Sequence, residues 1–435
     1  GNSSVFLLPS TICYAGPYCM QRENTRQLYI IVLTVFLDLL GISLVIPVAA
    51  PLFLSSDATF FATATTLQYK TLILGLLLGA GPIIQFFVAP LLGAYADRAG
   101  RKPVLLLSVL VNAAGHTLFG VGILTQQLWL LFISRALAGV GSANLSAANS
   151  AVVDISDRDT KVRNFGLVGM ALGLGFIFGP FLGGILSDPS VVSWFNFATP
   201  LWVAAVLSVL NALVVKLFFR ETLRERFSGK MDVFTGVRNI ARAFTMPNLR
   251  SMYMVSFLMG FGYNFFAQFF SVFLIARFQF TSAEIGALFA YVGIWMALTQ
   301  GVFTRYIARL ARAEVVVRWA PLAAVVLHVV LAGVQKVPTV FFLLPLIAIA
   351  YGVNGPNVTS LISDLADRDS QGEALGIDRA MSALAFGLPP ILSGWAVGLH
   401  VSMPMIFAAV FIFCAWGVFV RFRPYGRHPV FHEVS

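Results

Sequence analysis

Twelve apolar stretches, each long enough for a helix to cross about 30 Å of hydrocarbon, recur along the chain and are divided by polar or Gly/Pro-containing breaks. They lie near 28–54, 69–91, 103–125, 128–153, 165–187, 198–219, 251–276, 283–307, 318–336, 339–362, 374–399 and 402–421, and are called spans 1 to 12 below. A bilayer offers backbone polar groups no water, so only helices and closed barrels cross it, and continuous runs without two-residue alternation select helices. The expected fold is an all-α membrane protein of twelve transmembrane helices, its even count placing both termini on one side. A soluble enzyme is excluded on the same ground, since 58% of residues are apolar and 11% charged, against about 45–50% and about 25% in soluble domains.

The formal charge of +10 could point to a polyanion, but its distribution explains it without nucleic acid. With the N-terminus taken as cytoplasmic, 25 of the 29 Lys and Arg fall in tails and loops on that side. Lys70, Arg277 and Lys336 fall on the other side, and Arg135 inside span 4. Basic residues gather in cytoplasmic loops, so both termini are expected in the cytoplasm. The longest polar stretch runs from Arg220 to Arg250 and divides the spans six and six. The organisation that follows is a tail at 1–27, a six-helix bundle at 28–219, a cytoplasmic linker at 220–250, a second bundle at 251–421 and a tail at 422–435.

Internal repetition supports the two halves. Asp154-Ile-Ser-Asp157-Arg158-Asp159 returns as Asp364-Leu-Ala-Asp367-Arg368-Asp369, an offset of 210 residues. The same offset pairs Asn144 with Asn354, Gly166 with Gly376, Phe176 with Phe386, Pro180 with Pro390 and Gly184 with Gly394. Parallel six-helix repeats are one architecture of secondary transporters, with the substrate site at the repeat interface near midplane.

Other classes find little support. No G-x-x-x-x-G-K-[ST] loop is present to bind a nucleotide, and five dispersed histidines give no catalytic cluster. His428 and His432 flank Pro429 in the tail, a poor setting for a metal site, and no cofactor is expected. Cys13 and Cys19 could bridge but are read as free thiols, as is Cys414. The apolar patch Val5 to Pro9 lacks the basic flank of a secretory signal, and Met20 reads as a plausible start.

Three motifs narrow the reading. After span 2 comes Gly93-Ala-Tyr-Ala-Asp97-Arg98-Ala-Gly100-Arg101-Lys102, in which Gly100 permits a tight turn and the charges can pair across the loop. Span 5 carries Gly175-Phe-Ile-Phe-Gly179-Pro180-Phe-Leu-Gly183-Gly184, a small-residue strip for close packing with a proline that bends the helix. Span 4 holds Arg135 four residues before Gly139, and span 1 holds Asp38 near its midpoint. Buried charge is costly in lipid, so Arg135 must face the interior, where Asp38 is its expected partner.

These motifs resemble, in order, the signature loop of the major facilitator superfamily, the span 5 motif of its drug:proton antiporters and the R-x-x-x-G of its fourth helix. From residue 28 onward the chain is similar to twelve-span tetracycline:proton antiporters and their multidrug relatives, with further echoes in Leu37-Asp38-Leu-Leu-Gly41 and Val152-Val-Asp154-Ile-Ser-Asp157. Span 3 has Gly115 and His116 where the tetracycline group has an acid, and span 8 has Trp295-Met-Ala297 where it has a histidine, which weakens tetracycline itself as the substrate.

The resemblance implies a proton-driven exporter of an amphiphilic small molecule, drug or metabolite. An importer or facilitator of a small metabolite or siderophore on the same fold stays open. Asp38 and Arg135 would couple to protons. Spans 1, 4, 7 and 10 line the cavity in this family, which makes Tyr263, Asn264, Phe265, Gln268, Asn354, Asn357 and Asn144, with Gln85 of span 2, candidate substrate contacts. Asp154 would meet Arg98, and Asp97 would face the start of span 11, latching the cytoplasmic side. The second half keeps Asp364 but has no acid in Gly301-Val-Phe-Thr-Arg305-Tyr-Ile-Ala-Arg309, so an asymmetric gate is expected. A monomer in a bacterial inner membrane, with protons, a small-molecule substrate and lipid as its only partners, completes the expectation.

Overall fold

A computed structural model describes residues 17–54, 60–62, 64–223, 238, 241–243, 245–246, 249–366 and 371–422, with the side chains of 17–23, 158–159, 162, 371–373, 375–376, 379 and 422 excepted. Cys13, Cys19, Asp367, Arg368, His428, His432 and most of the expected linker lie outside the described residues.

Among the described residues the chain is all helix, turn and loop. Helices α1 (Pro17–Ser43) and α2 (Ile46–Leu54) occupy span 1, followed by α3 (Leu67–Ala99) and α4 (Arg101–Thr125). Span 4 is divided into α5 (Leu128–Ser142) and α6 (Leu145–Asp154), and α7 (Arg158–Leu186) and α8 (Thr199–Phe218) complete the first half. The second half contains α9 (Arg250–Phe278), α10 (Ser282–Leu298), a π-helical turn (Thr299–Phe303) leading into α11 (Thr304–Leu310), and then α12 (Ala313–Ala332), α13 (Val337–Leu365), α14 (Gln371–Ala396) and α15 (Met403–Phe422). Eleven helical spans are long and apolar enough to cross a membrane; in the remaining one, α14, the described apolar part is Ala380–Ala396.

Local chemistry sets the breaks. Pro47 enters at the second residue of α2, where its ring and missing N–H end α1 one turn earlier. Ser43 Oγ bonds the carbonyls of Leu39 (2.7 Å), Leu40 (3.1 Å) and Gly175 (3.0 Å), answering oxygens near the break. The Gly141-Ser142 pair precedes the break in span 4, and Gln85 Nε2 bonds the Ser142 carbonyl at 3.1 Å. Thr304 Oγ1 bonds the Thr299 carbonyl across the π turn at 2.9 Å.

The helices of each half pack mainly on one another, and the halves meet along two seams. In one, α7 lies on α10, with Gly184 against Ser282 and Gly286, Pro180 against Gly286, and Ile177 against Gly293. In the other, α3 lies on α14, with Thr71 against Gly394, Gly75 against Pro390, and Ile83 against Gly387. Offsets of 210 or 211 residues relate the contacts of one seam to those of the other, so the sequence repeat reappears as an interface repeat. A side chain beginning at Gly75, Gly184 or Gly286 would strike backbone of the facing helix, which explains the small residues.

Both seams lie toward the end of the bundle formed by the loops near 187–198 and 279–281. An apolar cluster containing Val45, Phe53, Phe269, Val272 and Val397 seals that end across the halves. Toward the end carrying Arg101 and Asp154, Gly166, Gly169, Gly173 and Gly301 have no described atom within 4 Å of where a side chain would start. The α7 seam parts there, and a cleft opens at the end from which α1 sets out.

Candidate functional site

Asp38 lies five residues before α1 ends and is 8% exposed. Its Oδ1 accepts a hydrogen bond from Asn112 Nδ2 of α4 at 3.3 Å, and its Oδ2 accepts one from Asn144 Nδ2 at 2.5 Å. Asn144 stands at the break between α5 and α6, so the interruption of span 4 delivers an amide to the carboxyl group. Close packing supports the arrangement, because Gly141 lies against the Asn112 side chain and Gly41 against the His116 ring.

The expected Asp38–Arg135 pair does not form. Arg135 is 8% exposed on α5, packs against Gly81 of α3, and its Nε has no hydrogen-bond partner among the described residues. The reason is axial distance: nine residues of helix at about 1.5 Å each separate Arg135 from the Asn144 that reaches Asp38. Asp38 is thus held by neutral amides, and no described salt bridge involves it. Charge-assisted hydrogen bonds stabilise the carboxylate, while the Asn112 Oδ1, which has no partner, could accept the O–H of the protonated acid after an amide rotation.

At the open end, Arg101 is the hub. Its Nε donates to Asp154 Oδ2 at 3.1 Å, its Nη1 pairs with Asp97, and Thr222 Oγ1 donates to the same Asp154 oxygen at 3.2 Å. Glu221 accepts from the backbone N–H of Arg101 at 2.7 Å and of Lys102 at 3.1 Å, capping α4 from the segment that follows α8. Gly100, at φ +111°, lies directly beneath this carboxylate, leaving no room for a side chain. The cation on Asp154 is therefore Arg101 rather than Arg98. The described bonds of this network stay inside the first half. Whether Asp97 meets the start of span 11 falls on side chains outside the described residues. In the second half, Asp364 and Arg305 are exposed, without a salt bridge among the described residues.

The remaining candidates divide. Tyr263 is half-buried with its ring 4.5 Å from that of Tyr351. Asn264 is buried and bonds within α9, to the Gly260 carbonyl at 2.8 Å, while accepting from Gln268 at 3.3 Å. Gln268 also ties α9 to α14 through the Phe386 carbonyl at 2.9 Å. Asn357 bonds the Val353 carbonyl at 2.6 Å, and the buried Asn354 leaves its Oδ1 without a described partner. Phe265 is 1% exposed and packs on Phe261 of its own helix and on Phe407 and Phe411 of α15. Gln85 and Asn144 serve the break in span 4 and the Asp38 carboxyl, respectively.

Sequence reasoning missed Asn112 and Glu221. The signal for Asn112 was present, since it lies four residues before His116 and so shares its helix face. Glu221 gave none, because its partner amides are 120 residues away in sequence.

A sequence model of the Major Facilitator Superfamily matches residues 31–376 and, in a second match, 252–434. The chain is 30% identical to the class C tetracycline resistance protein of Escherichia coli over 372 residues, covering 85% of this chain and 89% of that one. It is 27% identical to multidrug resistance protein 1 of Bacillus subtilis over 400 residues, 90% and 94% of the two chains. Its fold is similar to that of the human organic anion transporter MFSD10 (TETRAN), with a TM-score of 0.67 and 23% identity over 91% of this chain and 99% of that one. These relatives are transporters, not enzymes. With eleven spans apolar enough for a bilayer and family matches over most of its length, this multi-pass membrane protein belongs to the major facilitator superfamily and is a transporter of small molecules.

Proposed function

We propose that the chain exports an amphiphilic small molecule in exchange for protons, by alternating access between two six-helix bundles. In this reading the bundles comprise residues 28–219 and 251–421, twelve spans in all, with 220–250 as a cytoplasmic linker and both termini cytoplasmic, as the loop charges favour. The cleft at the Arg101 end then faces the cytoplasm. The transporter acts as a monomer, in a bacterial inner membrane, and draws on a proton gradient rather than a cofactor.

The observation that carries this reading is Asp38: an ionisable group buried at three converging helices, held by two amides with no described salt bridge. Amide clamps suit both protonation states. With the seams parted, a proton arriving from outside would neutralise Asp38, loosen its hold on Asn144 and the broken span 4, and favour return to the arrangement in which the seams are closed and the cleft faces the cytoplasm. Substrate arriving through the cleft would compete for the same hydrogen bonds and drive the proton off. The tetracycline and multidrug resistance relatives support an exported drug-like substrate.

A second reading, carriage of an organic anion or siderophore-like metabolite without protons, is favoured by Arg135, a buried guanidinium whose Nε has no described acceptor. Proteoliposomes holding a pH dye separate the two. Lipophilic cations, tetracyclines and siderophore-like anions are presented to the parent protein and to Asp38→Asn. Substrate-evoked proton flux lost in Asp38→Asn supports exchange; transport without proton movement, unchanged by the substitution, sinks it.

A further inference from the structure

His328 of α12 is 0% exposed, and its Nδ1 lies 2.7 Å from the Ala324 carbonyl. A carbonyl only accepts, so Nδ1 carries the hydrogen and the neutral ring presents Nε2 as a lone pair. That nitrogen is buried without a described hydrogen-bond partner. Two more orphans lie on α13: the hydroxyl of Tyr351, whose ring is 5.7 Å from the imidazole, and Asn354 Oδ1, three residues on and on the same helix face as Tyr351. Buried polar atoms are rarely left unpaired, and three of them, two of which can only accept, point to a common donor. The surroundings are aromatic. Phe266 meets His328 edge-on at 5.0 Å, and the Tyr263 ring lies 4.5 Å from that of Tyr351. Both tyrosines are half-buried while His328 and Asn354 are enclosed, so any approach to the unpaired atoms from the exposed surface passes the tyrosine pair.

We propose that this pocket in the second half binds the protonated amine of a substrate, its N–H groups donating to His328 Nε2 and Asn354 Oδ1 with the rings facing the charge. Acceptors fix the donor, and aromatic faces stabilise the cation without an acid. The assignment rests on the transporter reading above, and specifies recognition by hydrogen-bond donation rather than by charge alone.

The test is equilibrium binding to the purified full chain in detergent, where no proton gradient exists, so that a failed proton-flux assay leaves this result independent. The probes are naphthylmethylamine and its N,N,N-trimethyl counterpart, which keeps the charge but has no N–H. The parent should bind the amine at least about tenfold more tightly. His328→Asn, which keeps a donor for the Ala324 carbonyl and loses the acceptor at the Nε2 position, should erase that preference. His328→Gln, whose amide reaches the Nε2 position, should restore most of it. Tyr351→Phe removes a single hydroxyl with little risk to folding and should cost the amine about three- to tenfold. Equal binding of both probes by the parent, no binding of either, or a preference that survives His328→Asn in a protein of unchanged elution profile, each overturns the proposal; a site filled by water alone would give the first or second result.

Discussion

In the first half of the chain, charged and amide side chains meet inside the helices: Asp38 between Asn112 and Asn144, Arg135 buried nearby on α5, and Arg101 holding Asp97 and Asp154 at the open end. The matching volume of the second half is aromatic, with Phe261, Phe265, Phe266, Phe270 and Phe273 of α9 packed into one cluster with α12, α13 and α15. Backbone follows the same division. Spans 1 and 4 are broken beside Asp38 and its amide partner, while α9 and α13, spans 7 and 10, run unbroken and the second half's irregular turn falls in span 8. Breaks free backbone groups and admit polar side chains, whereas continuous helices satisfy their own backbone and accept large apolar ones. Two copies of one framework thus differ in their interiors: the first half holds the Asp38–Asn112–Asn144 cluster and the buried Arg135, and the second the larger aromatic cluster.

If that division is functional, the largest effect should come from Asp38→Asn, which keeps shape and hydrogen bonding but cannot release a proton. Substrate-driven proton flux in proteoliposomes should fall to background while equilibrium binding survives, and a variant that still moves protons would break the contrast. Next comes the aromatic half. Phe265→Ala should lower stability by about 3–5 kcal/mol in thermal unfolding, against little change for Phe87→Ala, whose ring is exposed at 39%. Arg101→Ala removes the cation shared by Asp97 and Asp154, leaving Asp154 the Thr222 hydroxyl, and should cost about 1–3 kcal/mol and slow transport, whereas Arg305→Ala, exposed on α11, should stay within about 0.5 kcal/mol. Equal losses from both arginines would show the gate to be symmetric. The smallest shift is expected from Glu221→Gln, which keeps an acceptor for the α4 amides but removes its charge. About 0.3–1 kcal/mol should be lost, and less at high salt.

The spans were legible in the sequence because lipid imposes one rule on every crossing segment: about 20 apolar residues with all backbone bonds made internally. The small residues of span 5 were legible as a packing strip, and the contacts of Gly175, Gly179 and Gly183 with span 1 and of Gly184 with α10 fit that reading. Partner choice was not legible. Arg135 and Asp38 are both ionisable and both buried in spans apolar enough for a bilayer, yet they stand at different depths, and two asparagines take the place of the guanidinium. Asp154 likewise has Arg98 and Arg101 within one loop, and only the turn at Gly100 decides which one reaches it.

What the sequence determined by itself was membership and layout: a multi-pass membrane transporter with a repeat of 210 residues and charge loaded on one side. Those properties are sums over many residues, and hydropathy and spacing report such sums directly. Tertiary structure alone decided that the repeat forms two equivalent seams, that Asp38 rests between amides, and that the buried His328 ring meets Tyr351 of α13. Each depends on the direction of a few side chains across helices far apart in sequence, where a shift of one residue turns a group by about 100° and no local pattern records the outcome.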